Sequence, residues 1–123
     1  SELYVLCLNL AVAYAKDRVT FGKPIAQHQG IQFMLADMEL KIQSARALCY
    51  EVAELRQDQL LRKVAASDAA VAVACDALQI FSGYGYMKDY RIEKLYRDAK
   101  LLQIFEGTNQ IQRMIIGGYL MRE

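Results

Sequence analysis

The chain reads as an all-α helical bundle. Apolar residues recur at steps of three and four along each long segment, and no stretch shows the period of two that marks a strand. Glycine and proline, seven and one in number, are gathered into a few short breaks that punctuate the chain. No internal repeat is evident. At 123 residues, 54% of them hydrophobic, the chain is one domain with enough apolar side chain for a core of its own.

In the first segment Leu3, Leu6, Cys7, Leu10 and Tyr14 fall at helical spacing, so a helix is predicted to run to about Asp17. Residues 18–29 hold Gly22 and Pro24 and form the first connection. A long second helix follows, with Ile31, Leu35, Met38, Ile42, Ala45, Cys49 and Val52 on one stripe suited to antiparallel bundle packing. Polarity rises at residues 56–58, where Asp58 is expected to cap the third helix. That helix carries Leu60, Val64, Ser67, Val71, Ala74, Leu78 and Phe81 and is rich in alanine on most faces, which predicts burial by several neighbours. Ser82, Gly83 and Gly85 end it. A short helix from about Tyr90 to Ala99 and a last one from Thr108 complete the bundle.

Several function classes are disfavoured. A net charge of +1 with no basic run gives no electrostatic case for a nucleic-acid partner. No uninterrupted apolar stretch of bilayer length is expected, so no membrane partner is called. The first 17 residues lack the basic start of a signal peptide, and their polar residues fall on a helix face. Cys7, Cys49 and Cys75 are isolated among apolar helix residues without metal-ligand spacing. They read as small core hydrophobes in a reducing compartment.

The informative stretch is RDAKLLQIFEGTNQIQR, residues 97–113. Glu106 sits between an apolar run (Leu101, Leu102, Ile104, Phe105) and a helix start at Gly107, Thr108 and Asn109. An acid among apolar groups is held towards its neutral form, which makes its carboxylate a stronger base. Gly107 lets another group approach the backbone, and Thr108 or Asn109 can cap the helix that follows. On position alone a second reading stands beside the base: Glu106 as an acid that favours the following helix dipole.

This stretch resembles the end of the C-terminal helical domain of the acyl-CoA dehydrogenases. Three further blocks match in order: RVTFGKPIAQHQGIQFMLADM (residues 18–38), SARALCY (44–50) and LQIFSGYGYMKDYRIEKLYRDAK (78–100). The resemblance covers nearly the whole chain. It implies an antiparallel four-helix-bundle-like domain over residues 1–123, the family's N-terminal helical and middle β-domains being absent from this sequence. It also implies an FAD flavoprotein that acts in fatty acid β-oxidation, introducing a double bond between the α and β carbons of acyl-CoA thioesters.

Within that resemblance Glu106 is the base that removes the α-proton. Its backbone N–H and Gly107 contact the thioester, while the β-hydrogen leaves as hydride to the flavin. Arg18, Thr20 and Phe21 match a flavin contact made across a subunit interface: a guanidinium fork for pyrophosphate, a hydroxyl and an apolar wall. A solvated helix-end cation is the plainer account of Arg18. His28, the sole histidine, lies where the family has a residue near FAD, and a packing role is equally open to it, as to Gln29. Gln79 and the turn Ser82-Gly83-Tyr84-Gly85 resemble the family's Q-x-x-G-G-x-G, which approaches the adenosine of a neighbour's FAD. Ser82 stands where glycine is usual, and a simple helix stop is the alternative. Thr108 and Gln110 resemble contacts to the flavin of their own subunit. The cluster Glu93, Lys94, Arg97 and Asp98 reads as fixing the short helix to the bundle, and Tyr84, Tyr86, Tyr90 and Tyr96 as packing.

The resemblance further implies an electron-transferring flavoprotein as partner, a homotetramer built as a dimer of dimers, and bacterial cytoplasm or mitochondrial matrix as location. Without the β-domain, the chain by itself is expected to bind FAD weakly and to lack turnover. The competing reading is a solitary bundle with an oligomerisation or scaffold role and no catalysis. Within the fold, nitroalkane oxidases carry Asp where Glu106 stands, and DNA-binding relatives need a basic surface, so neither fits this sequence.

Overall fold

The computed structural model describes residues 2–51, 56–105 and 108–122, without the side chains of residues 2, 49–51 and 56–58. Helix α1 (Glu2–Asp17) leads through a hairpin of β1 (Val19–Thr20) and β2 (Lys23–Pro24) and a 3-10 turn at Ile25–Gln27 into α2 (Gln29–Glu51). Then come α3 (Arg56–Phe81), a 3-10 segment at Ser82–Tyr86, α4 (Ile92–Ile104) and α5 (Asn109–Met121). The all-α class predicted from the spacing is the one observed.

Helix α3 is the axis of the fold and packs against α1, α2, α4 and α5. Its fully buried residues (Ser67, Ala70, Val73, Ala74, Ala77, Ile80 and Phe81) share one face, and most of its other described positions are half-buried by the surrounding helices, as its alanine content predicts. Short side chains allow helix axes to approach towards the lower end of the usual range of roughly 8–10 Å. Helix α1 answers with Tyr4, Cys7, Ala11 and Ala15, all buried. Of the predicted stripe Cys7 is buried as expected, and the rest of the buried line lies one position on, at Tyr4, Ala11 and Ala15. Leu3, Leu6, Leu10 and Tyr14 flank the small-residue line and are half-buried. The close helix contact selects small residues, and the longer side chains reach around its edges. From α2 come Met38, Ile42 and Ala45, with each large side chain contributing about 1.5–3 kcal/mol on burial.

The end of the bundle that carries residues 18–28 and 82–90 is closed by rings. Tyr14 stacks on Phe81 with centroids 4.2 Å apart, and Tyr90 meets both edge-on at 6.5 and 5.8 Å.

Several expectations are corrected. The first connection contains a short antiparallel hairpin, Val19 opposite Pro24 and Thr20 opposite Lys23. Two-residue strands are too brief to register as alternation. Asp58 lies inside α3, which is helical from Arg56, and so does not cap it. Helix α4 begins at Ile92 and continues to Ile104, since no glycine or proline follows Ala99 to stop it. Cys75 is exposed while Cys7 is buried, because they lie on opposite sides of their helices' packed faces. Arg97–Glu93 at 3.2 Å and Lys94–Asp98 at 2.8 Å are pairs within α4. They brace the helix by roughly 0.3–0.5 kcal/mol each, and its docking falls to Ile92, Leu95 and Ala99. Tyr84 and Tyr90 are 5.6 Å apart, whereas Tyr86 stands apart in solvent at 86% exposure. Residues 59–86, finally, are long enough to cross a bilayer and contain an 18-residue window apolar enough to do so, with mean hydropathy 1.5. Half of that window is buried against the other helices, which is the environment of a core helix.

Candidate functional site

Helix α1 ends where the backbone N–H of Arg18 donates to Tyr14 at 2.9 Å, and the Arg18 carbonyl then accepts from Ile25 at 2.7 Å. This pair of bonds folds the hairpin back against the helix end. Its two-residue turn, Phe21-Gly22, has positive φ at both positions, 51° and 78°, as a primed hairpin turn requires. Glycine adopts that region freely, but a bulky residue does so rarely. Phe21 is held there with its ring 97% exposed. A large apolar ring fixed outward in a costly backbone conformation is a ready-made contact surface.

Beneath it, Thr20 Oγ1 and His28 Nε2 share a hydrogen bond of 3.0 Å, and the His28 ring meets Phe21 edge-on at 6.2 Å. His28 thus braces the hairpin from behind.

Across from the hairpin, α3 stops at Ser82. Its φ of +56° places a non-glycine residue in the left-handed region, a conformation that glycine adopts more readily. Gly85 is buried, and a Cβ on it would lie 2.7 Å from the Leu78 carbonyl oxygen. Gly83, by contrast, has nothing of this chain within 4 Å of where its Cβ would be. Its small size leaves space for something from outside.

The two segments face one another. Arg18 and Thr20 on one side and Ser82, Gly83, Tyr84 and Met87 on the other line a cavity of about 470 Å³ floored by Ile25 and Ile80. The Arg18 guanidinium carbon lies 5.5 Å from the Tyr84 ring centroid, a cation–π distance. Among the described residues no carboxylate pairs with it. An uncompensated guanidinium, a hydroxyl and an open backbone on an apolar floor suit an anionic, partly aromatic ligand. That donor set fits the pyrophosphate segment of a dinucleotide.

The other expected residues are distributed differently. Gln79 is exposed and lines a separate concavity of about 580 Å³ with Cys75, Tyr86 and Arg97. The structure therefore parts it from Gly83. Thr108 caps α5, its Oγ1 accepting from the Ile111 N–H at 3.3 Å, and Gln110 is exposed on the first turn. Glu106 and Gly107 lie outside the described residues. Asn109, the other expected cap, is instead buried at 2% exposure in a polar cluster with α3. Tyr14, Ile80 and Met87 complete the cavity and were not expected to. Their spacing marks them as core, and only the fold turns them towards the cavity.

Residues 3–121 match the family model of the acyl-CoA dehydrogenase C-terminal domain. The chain belongs to the acyl-CoA dehydrogenase family. It is 55% identical over 121 residues to an acyl-CoA dehydrogenase of Bacillus subtilis, covering 93% of this chain and 32% of the relative. Its fold matches butyryl-CoA dehydrogenase from Megasphaera elsdenii with a TM-score of 0.92 and 44% identity, covering 98% of this chain and 33% of that one. A chain in a structure of the electron transferring flavoprotein of Acidaminococcus fermentans matches with the same TM-score at 41% identity, covering 98% and 34%. The chain thus spans about a third of the length of the acyl-CoA dehydrogenases it matches.

Proposed function

We propose that this chain is the C-terminal helical domain of an FAD-dependent acyl-CoA dehydrogenase. In this reading Glu106 is the base for the α-proton of an acyl-CoA thioester, and Gly107 adjoins the thioester. Arg18, Thr20, Phe21 and Gly83 hold the pyrophosphate segment of the FAD of a neighbouring subunit, and Gln79 reaches its adenosine end. Thr108 and Gln110 contact the flavin of their own subunit. His28 contributes by holding Thr20 and Phe21. The observation that carries this reading is the convergence of residues 18–20 and 82–84, some sixty positions apart in the sequence, on one cavity whose Arg18 guanidinium meets no carboxylate among the described residues.

When bound, FAD supplies the acceptor for the β-hydrogen as hydride. The chain's own part is the proton. In this reading Glu106 acts with water excluded, where a carboxylate is a stronger base than in solvent, and the α-proton becomes acidic enough to transfer only once the thioester oxygen accepts a hydrogen bond. Exclusion of water strengthens that bond. Electrons pass onward to an electron-transferring flavoprotein, a partner supported by the fold match to a chain in such a structure. Homo-oligomer formation follows from a flavin site shared between subunits.

In the complete enzyme, Glu106→Gln is expected to abolish dehydrogenation while flavin stays bound, and Arg18→Ala to weaken FAD retention. Near-normal turnover of the first variant would sink the assignment of the base. The chain alone, incubated with FAD and separated from free flavin, is expected to be colourless. A stoichiometric flavin band would overturn that expectation.

A second reading, an interaction module without catalysis, draws on the exposed apolar residues of α5: Ile111, Met114, Ile115 and Leu120. Its discriminating result is a chain that self-associates while its complete form shows no acyl-CoA oxidation.

A further inference from the structure

A polar cluster sits where α3, the end of α4 and the start of α5 meet, and it converges on Asp68. Gln103, on the last turn of α4, donates from Nε2 to Asp68 Oδ1 at 2.8 Å. Asn109, the first residue of α5, donates from Nδ2 to the same oxygen at 2.6 Å and to Ser67 Oγ at 2.8 Å. Its own Oδ1 accepts from Lys63 Nζ at 2.6 Å. One turn further along α5, Arg113 pairs with Asp68 Oδ2.

One carboxylate of α3 therefore holds both flanks of the junction between α4 and α5. The upstream flank is held at Gln103, the downstream flank at Asn109 and Arg113. Asn109 is 2% exposed, and a buried amide with both its oxygen and its nitrogen engaged has little freedom to shift, because every alternative leaves a polar group unsatisfied.

We propose that Asp68 is a positioning residue for the base: by tying Gln103 and Asn109 to α3, it holds to the bundle the two described flanks between which Glu106 falls in the sequence. This rests on the reading of Glu106 as the base. Asp68 acts through the chain it holds and touches neither substrate nor flavin in this proposal.

The test uses the complete FAD-loaded enzyme with Asp68→Ala, Asp68→Asn and Gln103→Leu, beside Glu106→Gln as reference. An ångström of misplacement lowers proton transfer by up to about 10²-fold. Asp68→Ala is therefore expected to lower kcat by about 10- to 100-fold with little change in KM or flavin content. The isotope effect with α-deuterated acyl-CoA should rise, while that with β-deuterated substrate does not. Asp68→Asn keeps an oxygen for Gln103 and Asn109 and should recover most of the rate. Gln103→Leu releases one flank only and should show the same isotope pattern with a smaller fall in kcat.

Wild-type kcat and isotope effects in Asp68→Ala, or in Gln103→Leu should the alanine variant fail to fold, overturn the proposal. So does an isotope effect that rises equally at both carbons. Normal turnover in Glu106→Gln defeats the reading of the base instead, whatever the Asp68 variants do.

Discussion

Tyr14 stacks on Phe81 with 4.2 Å between ring centroids and 27° between ring planes, and this contact joins the last turns of α1 and α3. Tyr14 also lines the cavity that holds Arg18 and Gly83, so one side chain belongs to the core and to the site. Tyr14→Ala should remove the stack and the edge contact with Tyr90, at a cost of about 2–4 kcal/mol in denaturant unfolding. Tyr14→Phe keeps the ring and should stay within about 0.5 kcal/mol of the parent. Equal losses in the two variants would show that the hydroxyl, not the stack, carries the stability.

Ser82 occupies a left-handed backbone conformation at φ +56°, and its hydroxyl donates an exposed 3.3 Å bond to the Gln79 carbonyl. An L residue in that region costs about 1–2 kcal/mol relative to glycine. Ser82→Gly should therefore raise stability, by about 1 kcal/mol after the flexibility glycine adds to the unfolded chain. A lowered melting temperature would mean that the hydroxyl bond outweighs the backbone strain.

Gly85 is the opposite case, because its limit is space. A methyl group there would sit 2.7 Å from the Leu78 carbonyl oxygen and 2.9 Å from Phe81 Cβ. Both belong to the closely packed end of α3. Gly85→Ala should cost about 1–3 kcal/mol and should loosen the turn that carries Gly83. Calorimetric melting of the two glycine-turn variants side by side checks both, since their signs are expected to differ.

Cys7 and Cys75 should differ in chemistry as they do in burial. Burial pushes the Cys7 thiol up to about 11, only partly offset by Arg91, so at neutral pH it is protonated and enclosed. Cys75 is exposed. Alkylation followed by peptide mapping should label Cys75 rapidly and Cys7 only on unfolding. The same shift has a stability sign. Between about pH 9 and 11 the unfolded chain releases the Cys7 proton while the folded chain retains it. The folded state therefore loses stability as pH rises through that window. Tyr14, whose phenol is also raised by burial against the opposing effect of Arg18, acts in the same direction. A stability curve flat from pH 7 to 11 would contradict both.

Helical periodicity was legible along most of the chain because α1, α2 and α3 each bury one stripe of residues against their neighbours. The cap of α5 and the stop of α3 were legible for local reasons: Thr108 accepts a bond from a residue three along, and Ser82 ends α3; the expected cap at Asp58 and the expected end of α4 at Ala99 were not found. Apart from Cys7, the stripe on α1 was displaced by one position because periodicity reports an apolar face without saying which line on it meets the nearest neighbour. That line belongs to Cys7, Ala11 and Ala15, where the alanine-rich α3 comes closest.

The amino-acid sequence by itself determined the fold class and the order of the helices, since these rest on local spacing, and it marked the motifs at residues 18–22, 79–85 and 106–110 through their resemblance to the family's. Tertiary structure alone decided which motifs meet. It set Arg18 and Thr20 opposite Ser82 and Gly83, turned Gln79 to another face, and drew Gln103, Asn109 and Arg113 onto Asp68. Those contacts join residues 35 to 65 positions apart. They depend on how α1, α4 and α5 are laid around α3, which no local pattern encodes.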